Sequence, residues 1–225
     1  MFRIVCLILG FAFGSIPTGF LVAKLYGKDL RRMGSGNTGS TNALRTLGKK
    51  AGAMTFAGDL LKALIPLFIT AQLYGSAEET RYLVTMYTGL GAVLGHDFSP
   101  WLHFKGGKGI ASSGGVILFT DPGFFGLVLG ALIVVAGLSG YVSLGSLTAA
   151  VIYLGVQAYL ILSGASFGWK QYPQTFSKAC VPELLVLALI MGGLAIWRHK
   201  ANIVRLMNGT ENKFIQKNKG ANGNK

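Results

Sequence analysis

Apolar residues in this 225-residue chain come in long blocks separated by short polar segments, not with the period of a strand. A helix needs about 20 mainly apolar residues to cross the hydrocarbon core of a bilayer. Residues 4–26, 51–74, 82–102, 124–138, 142–162 and 180–197 supply such blocks. Residues 109–120 are apolar but short, reaching about 18 Å at the helical rise, and Asp121-Pro122-Gly123 closes them with a turn signal. Arg3 followed by the apolar run 4–13 has the look of a secretion signal. Apolar residues resume at 20–25, so a retained helix over 4–26 is expected.

Charge decides how these blocks are threaded. Lys24, Lys28, Arg31, Arg32, Arg45, Lys49 and Lys50 follow the first block, and Arg198, Lys200, Arg205, Lys213, Lys217, Lys219 and Lys225 follow the last. Basic flanks stay on the cytoplasmic side. Two basic clusters on one side require an odd number of crossings, so 109–120 is counted as a span. The expectation is an all-α integral membrane protein with seven transmembrane helices, its N-terminus outside and its C-terminus cytoplasmic. Segments 75–81 and 164–178 fall outside. Segments 34–45, 104–109, 139–146 and 198–211 then gather on the cytoplasmic face. Residues 1–213 form one transmembrane domain, and 214–225 read as a polar disordered tail.

Composition agrees with this picture. Hydrophobic residues make up 51% of the chain and charged residues 13%, against about 25% charged in soluble domains. The net charge of +13 brackets the apolar blocks, which fits anionic headgroups and not nucleic acid. Gly10/Gly14, Gly91/Gly95 and Gly126/Gly130 have the spacing that lets helices approach closely in lipid. Cys6 and Cys180 fit no metal spacing and are expected as two buried thiols. Asp59 and Lys62 stand three apart inside the second block, where an unpaired charge costs about 3 kcal/mol; they are expected to form a structural pair facing the bundle interior. His96 and Asp97 are given a supporting role in the third.

The polar segments carry the chemistry. Ser35-Gly36-Asn37-Thr38-Gly39-Ser40-Thr41-Asn42 with Arg45 is dense in glycine, hydroxyls and amides. Such a run cannot lie in lipid, and it suits an anion: bare N–H groups close to a phosphate, with a guanidinium beside them. Its G-x-G-x-x-G spelling lacks the preceding strand of a dinucleotide fold. Lys105-Gly106-Gly107-Lys108 precedes a helix start and reads as a second anion site; Gly109 stands where a Walker loop needs serine or threonine. In the third segment His199 and Asn202 share a helical face, with Arg205 nearby. Gly164-Ala165-Ser166-Phe167-Gly168 spells a nucleophile elbow without its strand–turn–helix setting. Asn208-Gly209-Thr210 is a sequon on the wrong side of the membrane. No histidine is followed five positions on by aspartate. No histidine–carboxylate cluster supports a metal, and no cofactor is expected. A transporter would place its site at the midplane of repeated halves, and no repeat is visible.

Three long motifs, Ser35 to Arg45, His96 to Gly109 and Arg198 to Glu211, together resemble the bacterial acyl-phosphate:glycerol-3-phosphate acyltransferases, the PlsY family. Ala63 and Ser112 are small departures from its pattern. The resemblance implies a multi-pass enzyme of the bacterial inner membrane with a cytoplasmic active face. It would move an acyl group from acyl phosphate to the 1-hydroxyl of sn-glycerol 3-phosphate, releasing lysophosphatidic acid and phosphate. For that reaction Ser35, Gly36, Asn37, Gly39, Thr41, Asn42 and Arg45 are expected to hold the phosphate of acyl phosphate. Lys105 and Lys108, with Ser143, His199 and Asn202, are expected to hold glycerol phosphate and the reacting carbonyl, and Gly106, Gly107 and Arg205 to bind substrate beside them. Ser143, His199 and Asn202 are the catalytic candidates. Whether His199 or a substrate phosphate oxygen takes the hydroxyl proton is left open. The partners are these two substrates and membrane lipid, with no nucleic acid and no obligate protein partner.

Overall fold

The structure, a computed structural model, describes residues 2–75, 78–165 and 177–214. These are helical throughout, with no strand among the described residues. Helices α1 (Phe2–Gly14) and α2 (Thr18–Leu25) form one interrupted span; α3 (Ser40–Leu47) and α4 (Lys49–Tyr74) are joined by Gly48. There follow α5 (Glu78–Asp97), α6 (Ile110–Thr120), α7 (Pro122–Ser139), α8 (Val142–Ser163), α9 (Val181–Arg198) and α10 (Lys200–Met207). Residues 166–176 of the expected outer segment, with most of the G-x-S-x-G spelling, and the tail beyond Phe214 lie outside the described residues.

Two expected spans are corrected. The first is broken at Ser15–Pro17, because Pro17 has no N–H to continue the helix. The carbonyls freed there are used: Ile16 O accepts from Lys62 Nζ at 2.9 Å and Ser15 O from Ser99 Oγ at 2.6 Å. The third ends at Asp97, not at 102, where Pro100 starts a separate 3-10 turn, Pro100–Leu102.

Among the described residues five elements are long and apolar enough to cross a membrane: Phe2–Leu25, Lys49–Tyr74, Pro122–Ser139, Val142–Ser163 and Val181–Arg198. Helix α5 falls short on apolarity for a physical reason. Most of it from Tyr82 to Asp97 is buried among α1, α4, α6 and α9, so it meets protein where the others meet lipid. It accordingly carries buried Thr85, Thr88, His96 and Asp97. Helix α6 is short, about 16 Å at the helical rise.

Backbone contact holds α5 to α1. A Cβ on Gly10 would strike the Thr88 carbonyl, on Gly14 that of Ala92, on Gly91 that of Leu7 and on Gly95 that of Phe11. Gly126 and Gly130 have open space around them, so two of the three glycine pairs make a helix interface and the third does not. Leu90, Val93, Val116, Phe124, Tyr153 and Met191 pack one core across α5 to α9. At the far end Arg3 binds Glu183 through two nitrogens, at 2.5 and 2.8 Å, and Tyr87 donates to the same carboxylate at 2.5 Å. Cys6 is a buried thiol, but Cys180 is half-buried, and the two are not joined.

Candidate active site

The loop after α2 is shaped by its own side chains. Asn42, 2% exposed, donates from Nδ2 to the carbonyls of Leu30 (3.3 Å), Met33 (2.9 Å) and Asn37 (2.8 Å). Its Oδ1 accepts the Ser35 N–H at 3.0 Å, and Asn37 Oδ1 accepts the Gly39 N–H at 2.8 Å. Gly34 and Gly36 take positive φ, +56° and +72°, which a side chain would strain. The amide of Asn42 is therefore engaged in building the loop, although Asn42 also lines the cavity beside it. What remains directed at open space is Ser35, Thr41, the N-terminal turn of α3 and Arg45.

These line a cavity of about 190 Å³ that also takes in Lys108, Ser143, Ser146, His199, Asn202, Glu211 and Asn212, with Asp59 and His96 in its wall. Segments far apart in the chain thus meet in one place. Arg45 Nη2 reaches the Asn212 carbonyl at 3.5 Å, while its Nε and the Ser143 hydroxyl are buried with no hydrogen-bond partner among the described residues. Such groups have donors to offer an incoming anion.

A polar relay crosses the cavity floor. Lys108 Nζ donates to Asn202 Oδ1 at 2.6 Å, Asn202 Nδ2 to Glu211 Oε1 at 2.9 Å, and Arg205 Nε to Glu211 Oε2 at 2.8 Å. Burial pulls the Lys108 ammonium down to about 8. Burial, with Lys108 adding to it, lowers His199 to about 4, so its ring is neutral at pH 7. The His199 Nδ1 lies 2.8 Å from the Ala195 carbonyl. A carbonyl only accepts, so Nδ1 carries the proton and Nε2 the lone pair.

The glycines before α6 do other work than expected. The N–H groups of Gly106 and Gly107 donate to the carbonyls of Asp97 and His96, both at 3.1 Å. Their own carbonyls accept from Arg198: Nη2 at 3.0 Å to Gly106 and 2.7 Å to Gly107, Nε at 3.0 Å to Gly107. A Cβ on Gly107 would collide with the His96 ring. Lys105 is exposed, and Gly36, Lys105, Gly106, Gly107 and Arg205 do not line the cavity. The reading of Gly106 and Gly107 as a phosphate cradle is corrected, since their N–H groups are already bonded. Beneath, Asp59 accepts from the Thr18 hydroxyl and from Lys62 Nζ at 2.8 Å, with His96 Nδ1 at 3.3 Å.

Sequence reasoning gave no role to Glu211 or Arg198. Glu211 had a signal, being the one acidic residue after Glu183 in an otherwise basic stretch. Arg198 looked like a flanking charge because its carbonyl partners are invisible in sequence.

An apolar slot, sharing Phe56, Ile110, Ala111, Leu129 and Leu132 with the cavity, continues inward between α6, α7, α8 and α9.

The family described as glycerol-3-phosphate acyltransferase matches residues 4–209. A glycerol-3-phosphate acyltransferase of Trichlorobacter lovleyi is 42% identical over 204 residues, 89% of this chain and 92% of that one. One of Desulfotalea psychrophila is 38% identical over 211 residues, 93% and 97% of the two chains. Among solved structures, the glycerol 3-phosphate form of PlsY (YgiH), an integral membrane glycerol 3-phosphate acyltransferase, superimposes with a TM-score of 0.78 at 36% identity, covering 95% of this chain and 96% of that one. Its lysophosphatidic acid form gives 0.75 at 34%, covering 94% of each. With that likeness across nearly the whole chain, and a cavity lined by polar groups that opens into an apolar slot, the chain belongs to the glycerol-3-phosphate acyltransferase family, as a multi-pass membrane enzyme of the PlsY type.

Proposed function

We propose that the enzyme transfers an acyl group from acyl phosphate to the 1-hydroxyl of sn-glycerol 3-phosphate. The hydroxyl oxygen bonds to the acyl carbon, the bond from that carbon to the phosphate oxygen breaks, and lysophosphatidic acid and phosphate leave. The observation that carries the reading is the continuity of a phosphate-sized polar cavity with an apolar slot, which suits a reactant with a charged head and a greasy tail. Ser35, Thr41, the start of α3 and Arg45 hold the donor's phosphate. Lys108 and Asn202 hold glycerol phosphate, and Ser143 supplies a hydroxyl toward the reacting carbonyl. The neutral His199 offers the Nε2 lone pair to the attacking hydroxyl, and a phosphate oxygen is the other acceptor for that proton. Acyl phosphate is already an activated anhydride, so alignment and charge shielding carry most of the rate.

The same proposal places the cavity at the cytoplasmic face of the inner membrane, beneath seven passes with the N-terminus outside, in a single transmembrane domain. Two observations support the odd count. The first turns of α1 and α9 are tied by Arg3 and Glu183, and the segments following α2 and α9 share the cavity. The neighbouring contacts also run in alternating directions: Gly14 with Ala92, Thr70 with Thr88, Gly109 with Val93, Gly145 with Ala136.

The test is turnover by purified protein given labelled glycerol 3-phosphate with acyl phosphates or acyl-CoA esters of matched, graded chain length. Labelled lysophosphatidic acid is expected from the acyl phosphates alone. Product from the CoA esters at an equal rate overturns the donor assignment.

A further inference from the structure

The walls of the apolar slot change size with depth. Between the shared mouth, with Phe56, Ile110, Leu129 and Leu132, and the inner end, α6 lines it with Gly114 and α8 with Ala150. At the inner end Ile117, Tyr153 and Met191 close it, each nearly fully buried. On α6 the distance from Ile110 to Ile117, and on α8 from Ser146 to Tyr153, is about 10 Å along the axis. The end wall is backed by protein. The Tyr153 ring stacks on that of Phe124, centroids 6.2 Å apart and planes within 10°, and its hydroxyl meets Met191 Sδ at 3.8 Å. Phe124 is itself wholly buried, so the ring of Tyr153 has nowhere to retreat.

We propose that Tyr153 sets the length of acyl chain the enzyme accepts; this rests on the acyl-transfer reading above. A chain arriving from the bilayer is already in hydrocarbon, so burying more methylenes in protein gains little. Selection therefore comes from the end wall. A chain that reaches Tyr153 and carries further methylenes must buckle in a packed slot or withdraw its carbonyl from the cavity. One methylene misfitted to a hydrophobic pocket costs about tenfold or more in specificity.

The test measures kcat/KM for acyl phosphates of graded chain length, and in parallel the thermal stabilisation of the protein by lysophosphatidic acids of the same lengths. The parent is expected to show a break in both series, with a fall of about tenfold beyond it. Tyr153→Leu is expected to move the break to longer chains. Gly114→Ala, whose new Cβ would lie 3.3 Å from the Phe125 ring edge, narrows the slot and is expected to move it to shorter ones. A Tyr153→Leu profile that superimposes on the parent's overturns the proposal. Should that variant not fold, an unmoved Gly114→Ala profile overturns it. If no acyl phosphate of any length is turned over, the donor assignment falls, and the lysophosphatidic acid series still decides the role of Tyr153.

Discussion

Lys108 and His199 sit side by side in the cavity, and burial moves both toward neutrality with different consequences. Lys108 titrates near 8, so its charge is present at neutral pH and is lost as pH rises through that value. Affinity for glycerol 3-phosphate is expected to hold below pH 8 and to weaken above it, read as a KM that climbs with pH. Stability moves the other way. The unfolded chain keeps that proton up to about 10.5, so between the two values the fold gains stability as pH rises. Lys108→Ala is expected to raise the KM at pH 7 and to flatten its pH dependence; an unchanged KM reassigns the lysine. His199, near 4, stays neutral across the working range and contributes no break between pH 5 and 8. Replacement of His199 by alanine is expected to lower kcat about a hundredfold if it takes the hydroxyl proton. A loss of only a few-fold leaves the substrate phosphate oxygen as acceptor.

Among the elements, α5 packs against α1, α4, α6 and α9. Its junction with α1 is a contact of backbone on backbone, and the glycines there leave no room for a Cβ. Gly91→Ala is expected to force the two helices apart and cost about 3 kcal/mol, read as a lowered melting temperature in detergent. Gly126→Ala adds the same atom on an open face and is expected to stay within about 0.5 kcal/mol. The end of α5 is joined to α9 by Arg198, which binds the Gly106 and Gly107 carbonyls and stands 3.8 Å from Asp97. Arg198→Ala removes those bonds and leaves the Gly106 and Gly107 carbonyls without their donors. A loss of about 2 kcal/mol is expected, and with it a looser Lys108 loop, seen as a raised KM for glycerol 3-phosphate. A variant as stable as the parent, with an unchanged KM, shows that the loop holds itself.

For the molecule as a whole, the testable quantity is sidedness. In a background lacking Cys6 and Cys180, single cysteines placed at Gly140 and Gly123 are expected to label from opposite faces of the membrane, Gly140 from the cytoplasm. Labelling of Gly123 from the cytoplasm and of Gly140 from outside makes α6 a re-entrant half-helix and reverses every later pass. The cavity would then draw its parts from both sides of the bilayer, and the proposed reaction would lose its common pocket.

How far these features are legible in the chain depends on the range of the interaction. Hydropathy is summed locally, so the apolar blocks, the interruption at Asp121-Pro122-Gly123 and the density of hydroxyls and amides from Ser35 to Asn42 determine a helical membrane protein with a polar loop that cannot lie in lipid. Helix α5 was legible as a helix but not as the centre of the bundle, since its neighbours decide whether it faces lipid. Which polar groups stay available could not be read locally either. Asn42, Gly106 and Gly107 have the right chemistry for phosphate, but the carbonyls of Leu30, Met33, Asp97 and His96 engage it first. Ser143 and the Arg45 Nε, by contrast, are left without partners, and Glu211 is brought to Asn202. A hydrogen bond needs its partner within about 3 Å. Residue type is written in the sequence, but that proximity exists only once the helices have packed.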